Sequence, residues 1–430
     1  MIDFSSISDE LQRTLAGVTL PEVALVEQHL ATPAPLGDVA AAVRDALENV
    51  RVPAGRVAVG VGSRGIARID EIVRALVREL VRRGAAPFVV PAMGSHGASN
   101  AEGQVRVLAH LGITEASVGV PIVATMDTVR VGRTEAGVDV FVDARAYEAD
   151  AIVVVNRVKL HTSFRGPIES GPAKMLAVGL GKQDGARSVH APGWLAMHEN
   201  VPAAARVVLG TGKIAFGLAI LENADELPYR IVGLPAERLI AEEEALLEEV
   251  RSVFPRLPFD ALDVLVVDRV GKNISGAGGD PNVTGRFPSR HISSLPAVGR
   301  LVYLSLTPEA EGNGNGVGLA DVVTAQLASA YRPSATYLNA LTTTAAENSR
   351  LPMVMPTPGL AIAAALKMVA GTAPEDASLV RISDTLHVKR FHASRAALRE
   401  LERRGAPAFA LVEPFAPLDF ATLEAATAHA

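Results

Sequence analysis

The sequence predicts an α/β protein: two α/β domains with largely parallel sheets and an active-site cleft between them. Three observations carry this. Short β-branched runs are repeatedly followed by longer amphipathic segments, the alternation expected of βαβ units. The runs are apolar on both faces, as strands covered by helices on both sides are. Glycine-rich stretches follow several of the runs, where such sheets carry their ligand loops.

Taken in order, Arg56–Val61 (RVAVGV) reads as a buried strand. Ile69–Arg82 follows with apolar residues at Ile69, Ile72, Val73, Leu76, Val77 and Leu80, which is helical spacing. Pro87–Pro91 is the next strand, Glu102–Leu111 the next helix and Ala151–Val155 a further strand. A Glu-rich helix, Ala241–Val250, leads into Arg251–Phe259, whose two prolines suit a boundary or hinge. Beyond it the expected elements are strands at Val264–Val267 and Leu301–Leu306, then a helix at Asp321–Ala330 capped by Asp321. A helix at Leu360–Ala370 and a strand at Leu379–Ile382 follow, with Gly312–Gly318 read as a flexible loop. The expected domains are 1–258, a larger cofactor-binding and catalytic domain, and 259–392, a smaller α/β domain. The charged helix Ala396–Arg403, within 393–430, is expected to pack back on the first domain.

Composition narrows the function. The 430 residues hold 41 Lys+Arg against 47 Asp+Glu, a net charge of −6, with 4% aromatics. A mildly acidic chain lacks the basic field of a nonspecific DNA binder, and so few aromatics leave little stacking surface for single strands. There is no cysteine, which removes disulfides, thiolate nucleophiles and cysteine-held metals. Any metal is left to His, Asp or Glu, or arrives with its own sulfur. The opening residues show neither a basic n-region nor an apolar h-region, and no apolar run approaches the roughly 18 residues of a spanning helix. The expectation is a cytoplasmic protein with no nucleic-acid or membrane partner.

Four motifs could carry chemistry. Gly60-Val61-Gly62-Ser63-Arg64-Gly65 stands between a strand and a helix. It matches a dinucleotide fingerprint, but the next strand ends Pro91-Ala92-Met93-Gly94, without the ribose-binding acid. An anion site or a tight structural turn are the other readings, and Arg64 adds a fork suited to a carboxylate. Gly94-Ser95-His96-Gly97 places a histidine at a strand end. The densest stretch runs from Asn156-Arg157 through His161, Arg165 and Lys174 to His190, with repeated glycines. Lys272 and Arg286 stand in a later Gly/Asn-rich loop suited to an anion. HExxH, GxSxG and the P-loop motif do not occur, which argues against a zinc protease, an α/β-hydrolase and a P-loop NTPase.

The ordered set Gly94-Ser95-His96, His161, Lys174, His190 resembles the lactate racemase family, whose members use a nickel-pincer nucleotide. PAMGSHGAS, NRVKLHTSF and GLGKQDGARSVH look like a branch of that family other than lactate racemase itself. The resemblance implies that Lys174 attaches the cofactor, that His190 ligates nickel and that His96 and His161 are the acid/base pair. It places Gly62, Ser63, Arg64 and Gly65 at the cofactor, and Arg64, Arg157, Lys272 and Arg286 at the substrate. The implied activity is racemisation or epimerisation of a 2-hydroxy acid by proton-coupled hydride transfer through a 2-keto acid. The two enantiomers present the hydroxyl on opposite sides, so two bases are needed. Imidazole titrates where both donation and acceptance are possible, and neutral imidazole suits divalent nickel. The cofactor carries the hard step. The implied partners are a small hydroxy acid and the cofactor-synthesis enzymes; the oligomeric state is open.

The departures from the family motif are Gly97 after His96, the longer spacing with Pro167 and Pro172 before Lys174, and the added charge of Arg157, Lys159 and Arg165. They suggest a larger hydroxy acid, a dicarboxylate or a sugar acid rather than lactate. Two other functions stay open on the residues alone: an NAD-type oxidoreductase using Gly60–Gly65, and a noncatalytic anion-binding protein on the same fold.

Overall fold

The computed structural model describes residues 4, 6–63, 65–289, 291–405 and 409–420. In chain order the strands are β1 (Val23–Gln28), β2 (Gly55–Val61), β3 (Ala85–Pro91), β4 (Thr128–Arg133), β5 (Asp139–Asp143), β6 (Ala151–Arg157), β7 (Ile214–Glu222) and β8 (Pro228–Pro235). They continue with β9 (Ala261–Val270), β10 (Ala297–Leu306), β11 (Val322–Thr324), β12 (Met353–Met355), β13 (Leu379–Ile382), β14 (Arg390–Ser394) and β15 (Phe409–Leu411). The architecture is α/β with largely parallel sheets, as the alternating pattern predicts. Two compact units form: Thr32–Phe254, and Met1–Ala31 together with Pro255–Ala430.

The unit Thr32–Phe254 is built on a five-stranded sheet in the order β3-β2-β6-β7-β8. The first four strands are parallel and β8 runs antiparallel to β7. Alternate residues feed two cores. Ala58, Ile152 and Val154 join one with Leu176, Val189 and Val201; Val57, Val59, Val153 and Val155 join the other with Ile72, Val73 and Leu76. Burial on both faces is why these strands read as unbroken apolar runs. The helix Ile69–Arg82 lies where its periodicity puts it and buries that stripe. Asp70 and Glu71 in its first turn complement the helix dipole. A separate hairpin, β4–β5, is antiparallel.

The connectivity has one reversal. The chain moves from β2 to β3 on one side, then crosses to β6 on the other side of β2. In open α/β sheets, the crevice at the carboxyl ends of the strands flanking such a switch point takes the ligand. Here those ends are Val61 and Arg157.

The second unit carries an eight-stranded sheet, β12-β11-β10-β9-β13-β14-β1-β15. The strands from β12 to β13 are parallel, and the pairs β13–β14, β14–β1 and β1–β15 are antiparallel. The two units divide between Phe254 and Pro255. The N-terminus differs from the expectation of one domain over 1–258: β1 lies in register with β14, Leu25 opposite His392, so the first 31 residues belong with the C-terminal unit. The helix Arg395–Arg404 also belongs to that unit, beside β13 and β14, and buries Ala397, Leu398 and Leu401.

Two local expectations change. Asp321 caps no helix; its Oδ2 accepts from Leu301 N (2.7 Å) and Arg286 Nη2 (2.8 Å). Thr324 is the cap of the helix Ala325–Ala330. The loop Gly312–Gly318 is mostly buried rather than solvated, with Gly314 N donating to Thr336 Oγ1 (2.9 Å) and Gly316 N to Asn348 O (2.8 Å). Among the described residues, no helix is long and apolar enough to cross a membrane.

Candidate functional site

Three segments leave the carboxyl ends of β2, β3 and β6 side by side. The first is Gly62-Ser63 after β2; Arg64 lies outside the described residues. A Cβ on Gly62 would stand 3.3 Å from Met175 Cε and 3.7 Å from Asn156 Oδ1. The turn after β2 therefore touches both the end of β6 and the segment carrying Lys174. The next residues are anchored by Glu222 at the end of β7, whose Oε1 accepts from Ala67 N (2.9 Å).

The second segment carries His96, which is exposed. Its Nδ1 is in close contact with Ser63 Oγ, so the loops after β2 and β3 meet at this ring. Gly94 N donates to Gly179 O (3.0 Å), which docks the loop on the helical segment that follows β6. Gly97 has φ +66, and a Cβ there would lie 2.6 Å from Gln104 N. Only glycine fits there, and the loop is packed against the helix that follows it.

The third segment begins at Arg157. Lys159 N donates to Ser170 O (2.8 Å), closing an excursion that contains His161. His161 stacks on Phe164 with ring centroids 4.2 Å apart. Its amide donates to Glu169 Oε2 (2.7 Å), and its Nδ1 accepts from Ser163 N (3.1 Å). Neutral His161 therefore carries its proton on Nε2. Glu169 is fully buried and also pairs with Arg251 (3.1 Å) and Arg165 (3.4 Å).

Lys174, half-buried, ends the short turn Pro172–Lys174. A π-helical turn, Met175–Gly179, follows, with Leu180 N bonded to Met175 O (2.8 Å). Such turns recur at functional sites. Here the turn brings Gly179 against the end of β3, where a Cβ would lie 2.6 Å from Ala92 O. The helix Lys182–His190 then ends at His190, whose Nδ1 lies 2.6 Å from Ala186 O. A carbonyl only accepts, so Nδ1 bears the proton and the lone pair of the ring is on Nε2. Burial pulls His190 below the ordinary imidazole range. The Ala186 carbonyl opposes this shift, and the nearby Lys174 charge adds to it. His190 is thus held neutral, the form that binds a metal.

The remaining expected residues have internal partners. Arg157 is ion-paired with the nearly buried Glu222. Lys272 Nζ donates to Gly276 O (2.8 Å), and Arg286 to Val298 O (3.1 Å), Gly299 O (2.8 Å) and Asp321; both belong to the other unit. Sequence reasoning missed Glu169, Glu222 and Glu243. Glu243 is 1% exposed. Its Oε2 accepts from Ala173 N (2.7 Å), Oε1 has no hydrogen-bond partner, and burial pushes its carboxyl up to about 8. Among the described residues, no group of three or more His, Asp or Glu is placed to hold a metal ion.

Residues 21–200 match the profile of the lactate racemase N-terminal domain. No curated protein sequence matches. The lactate racemase apoprotein of Thermoanaerobacterium thermosaccharolyticum is a similar solved structure: 10% identity, TM-score 0.45, covering 88% of this chain and 85% of that one. A crystal structure of a protein from Thermotoga maritima is similar at 15% identity and TM-score 0.44, covering 62% of this chain and 69% of that one. The segment similar to the lactate racemase N-terminal domain, residues 21–200, holds His96, His161, Lys174 and His190.

Proposed function

We propose that the protein is a racemase or epimerase of a 2-hydroxy acid that works with a covalently attached nickel-pincer nucleotide. The observation that carries this reading is the gathering of the His96, His161 and Lys174–His190 segments at the β2/β6 switch point. His190, neutral and with Nε2 as its ligating atom, would hold the nickel; Lys174 would be the attachment point, with Gly62, Ser63 and Gly65 beside the nucleotide. When bound, the group supplies a two-electron acceptor for hydrogen at C2 of the substrate.

The residues of the chain handle the protons. Neutral His161 presents Nε2–H as a hydrogen-bond donor; to take a proton at Nε2 the ring must first give up the bond from Ser163 N and carry its proton on Nδ1. The Ser63 hydroxyl can donate to His96 Nδ1 or accept from it, so His96 can take either role. In the proposed reaction one ring, neutral, takes the hydroxyl proton, and the other, as imidazolium, returns it. The packed glycines hold the His96 loop in place, so little ordering is left for the reaction to supply. The reading of a substrate larger than lactate, such as a dicarboxylate or a sugar acid, rests on the departures in sequence, since Arg157 and Arg165 are ion-paired with Glu222 and Glu169. The enzyme would act in the cytoplasm beside the enzymes that make its cofactor.

The test is co-expression with cofactor-making enzymes, followed by intact mass and a hydroxy-acid panel assayed for deuterium exchange at C2. The expected result is an adduct that disappears in Lys174→Ala, and exchange lost in both His96→Ala and His161→Ala. An unmodified chain that binds NAD tightly would overturn the reading in favour of an oxidoreductase. Ligand binding unchanged by either histidine substitution, with no exchange, would make the protein a noncatalytic anion binder.

A further inference from the structure

A polar chain with no counterpart in the proton-transfer scheme runs beneath the His96 loop. Lys182 is fully buried, an environment lysine enters only with partners. Its Nζ donates to Pro91 O at the end of β3 and to Gln104 Oε1 (3.0 Å). It also lies 2.9 Å from Asp143 Oδ2, in ion-pair contact though not aligned as a hydrogen bond. Gln104, also fully buried, turns its amide group to the loop: Nε2 donates to Gly94 O (2.8 Å) and His96 O (3.3 Å). Lys182 opens the helix that ends at His190, with φ 52. Left-handed backbone at a residue with a Cβ costs about 1 kcal/mol and persists where surrounding bonds over-determine it. Here the side chain's own bonds do so.

Each link has a reason. Pro91, Gly94 and His96 are the carbonyls where the chain leaves β3 and turns, beyond the reach of the sheet's ladder. A buried carbonyl must be bonded. Gln104 satisfies two of them only if its amide is oriented with Nε2 toward the loop. The Lys182 ammonium, which can only donate, enforces that orientation by demanding the Oε1 face. Removing the lysine removes the reason for the amide to face that way.

We propose that Lys182 and Gln104 are positioning residues that hold the His96 imidazole in register with the Lys174–His190 helix. The proposal rests on the reading of His96 as an acid/base group, but its first test does not need turnover.

The His96 ring titration is followed by NMR and assigned by its loss in His96→Gln, in wild type, Gln104→Met, Lys182→Met, the double variant and Gln104→Glu. Gln104→Met is decisive because it changes no charge. The expected result is a shift of the His96 midpoint by about half a pH unit, a threefold change in its proton affinity, with a double variant shifted no further than the singles. Gln104→Glu keeps an acceptor for Lys182 and loses both donors to the loop. A role confined to satisfying the buried lysine is rescued by it; positioning is not. A His96 titration unchanged in folded Gln104→Met, or restored in Gln104→Glu, overturns the proposal. In cofactor-loaded protein the second readout is kcat, which should fall at least tenfold with KM little changed. Absence of turnover in wild type would overturn the proposed activity and leave the NMR result to decide the positioning.

Discussion

Replacing Glu243 with Gln should raise stability at neutral and alkaline pH and flatten its dependence on pH. The carboxyl is buried among apolar side chains, with a single hydrogen bond, from Ala173 N, and burial raises its pKa to about 8 from an ordinary 4.5. The sign follows from linkage. Between those values the unfolded chain releases the proton and the folded one keeps it, so stability is intact below 4.5 and is lost as pH rises toward 8. At about 1.4 kcal/mol per unit, this one group accounts for a loss of about 3.5 kcal/mol between pH 5 and pH 8. Gln has the shape of the protonated acid, can accept from Ala173 N and cannot ionise. The assay is urea unfolding at pH 5, 6, 7 and 8. It is read by the fluorescence of Trp194, the single tryptophan, which lies in the same unit as Glu243. The two proteins should be close in stability at pH 5 and diverge steadily, the variant being the more stable at pH 8. A difference that stays constant across the range within about 0.5 kcal/mol would refute the reasoning.

Other expectations follow from single contacts. His190→Ala in cofactor-loaded protein should lose nickel, measured by elemental analysis, while the mass adduct on Lys174 remains; retained nickel would remove His190 from the site. Gly179→Ala places a methyl against Ala92 O, and overpacking of that kind costs about 2–3 kcal/mol, measurable as a lower urea midpoint. Glu222→Gln leaves Arg157, 15% exposed, without its charge partner, and should destabilise by about 2–3 kcal/mol. If Glu222→Gln is neutral, Arg157 is solvated and available for substrate.

What was legible in the chain was local. The helix Ile69–Arg82 and strands β2, β3, β6 and β13 announced themselves because each buries a continuous run in one place. β1 did not, because its partners are Phe391–Ser394, more than 360 positions away. Asp321 looked like a helix cap for the opposite reason. A polar residue before a helix is a local signal, but its carboxylate is taken by Leu301 and Arg286 from other segments. The candidate site divides the same way. His96, His161, Lys174 and His190 stand out by their glycine-rich surroundings. Glu169, Glu222 and Glu243 are ordinary acids in a loop, at a strand end and in a helix, and gain meaning only from the backbone and cations that other segments bring to them. Lys182 sat in plain view within a motif, and nothing in its neighbours says that it is buried.

The insertion of Thr32–Phe254 between β1 and the rest of its sheet sets an order of events during synthesis. The inserted unit is continuous in the chain, so it can complete its core as soon as its last helix, Leu239–Val253, leaves the ribosome. β1 must wait longer, since β14 and β15, the strands it pairs with, are translated more than 360 residues after it. At roughly 5–20 residues per second, this unpaired strand is carried for roughly 20–70 seconds before β14 is made. Glu22 and Glu27, which pair with Arg395 and Arg390 in the finished sheet, are charges that discourage premature pairing during that interval. Circular permutants that start near residue 255 and join the two ends of this sequence shorten the wait. They should aggregate less during expression than the present order of segments.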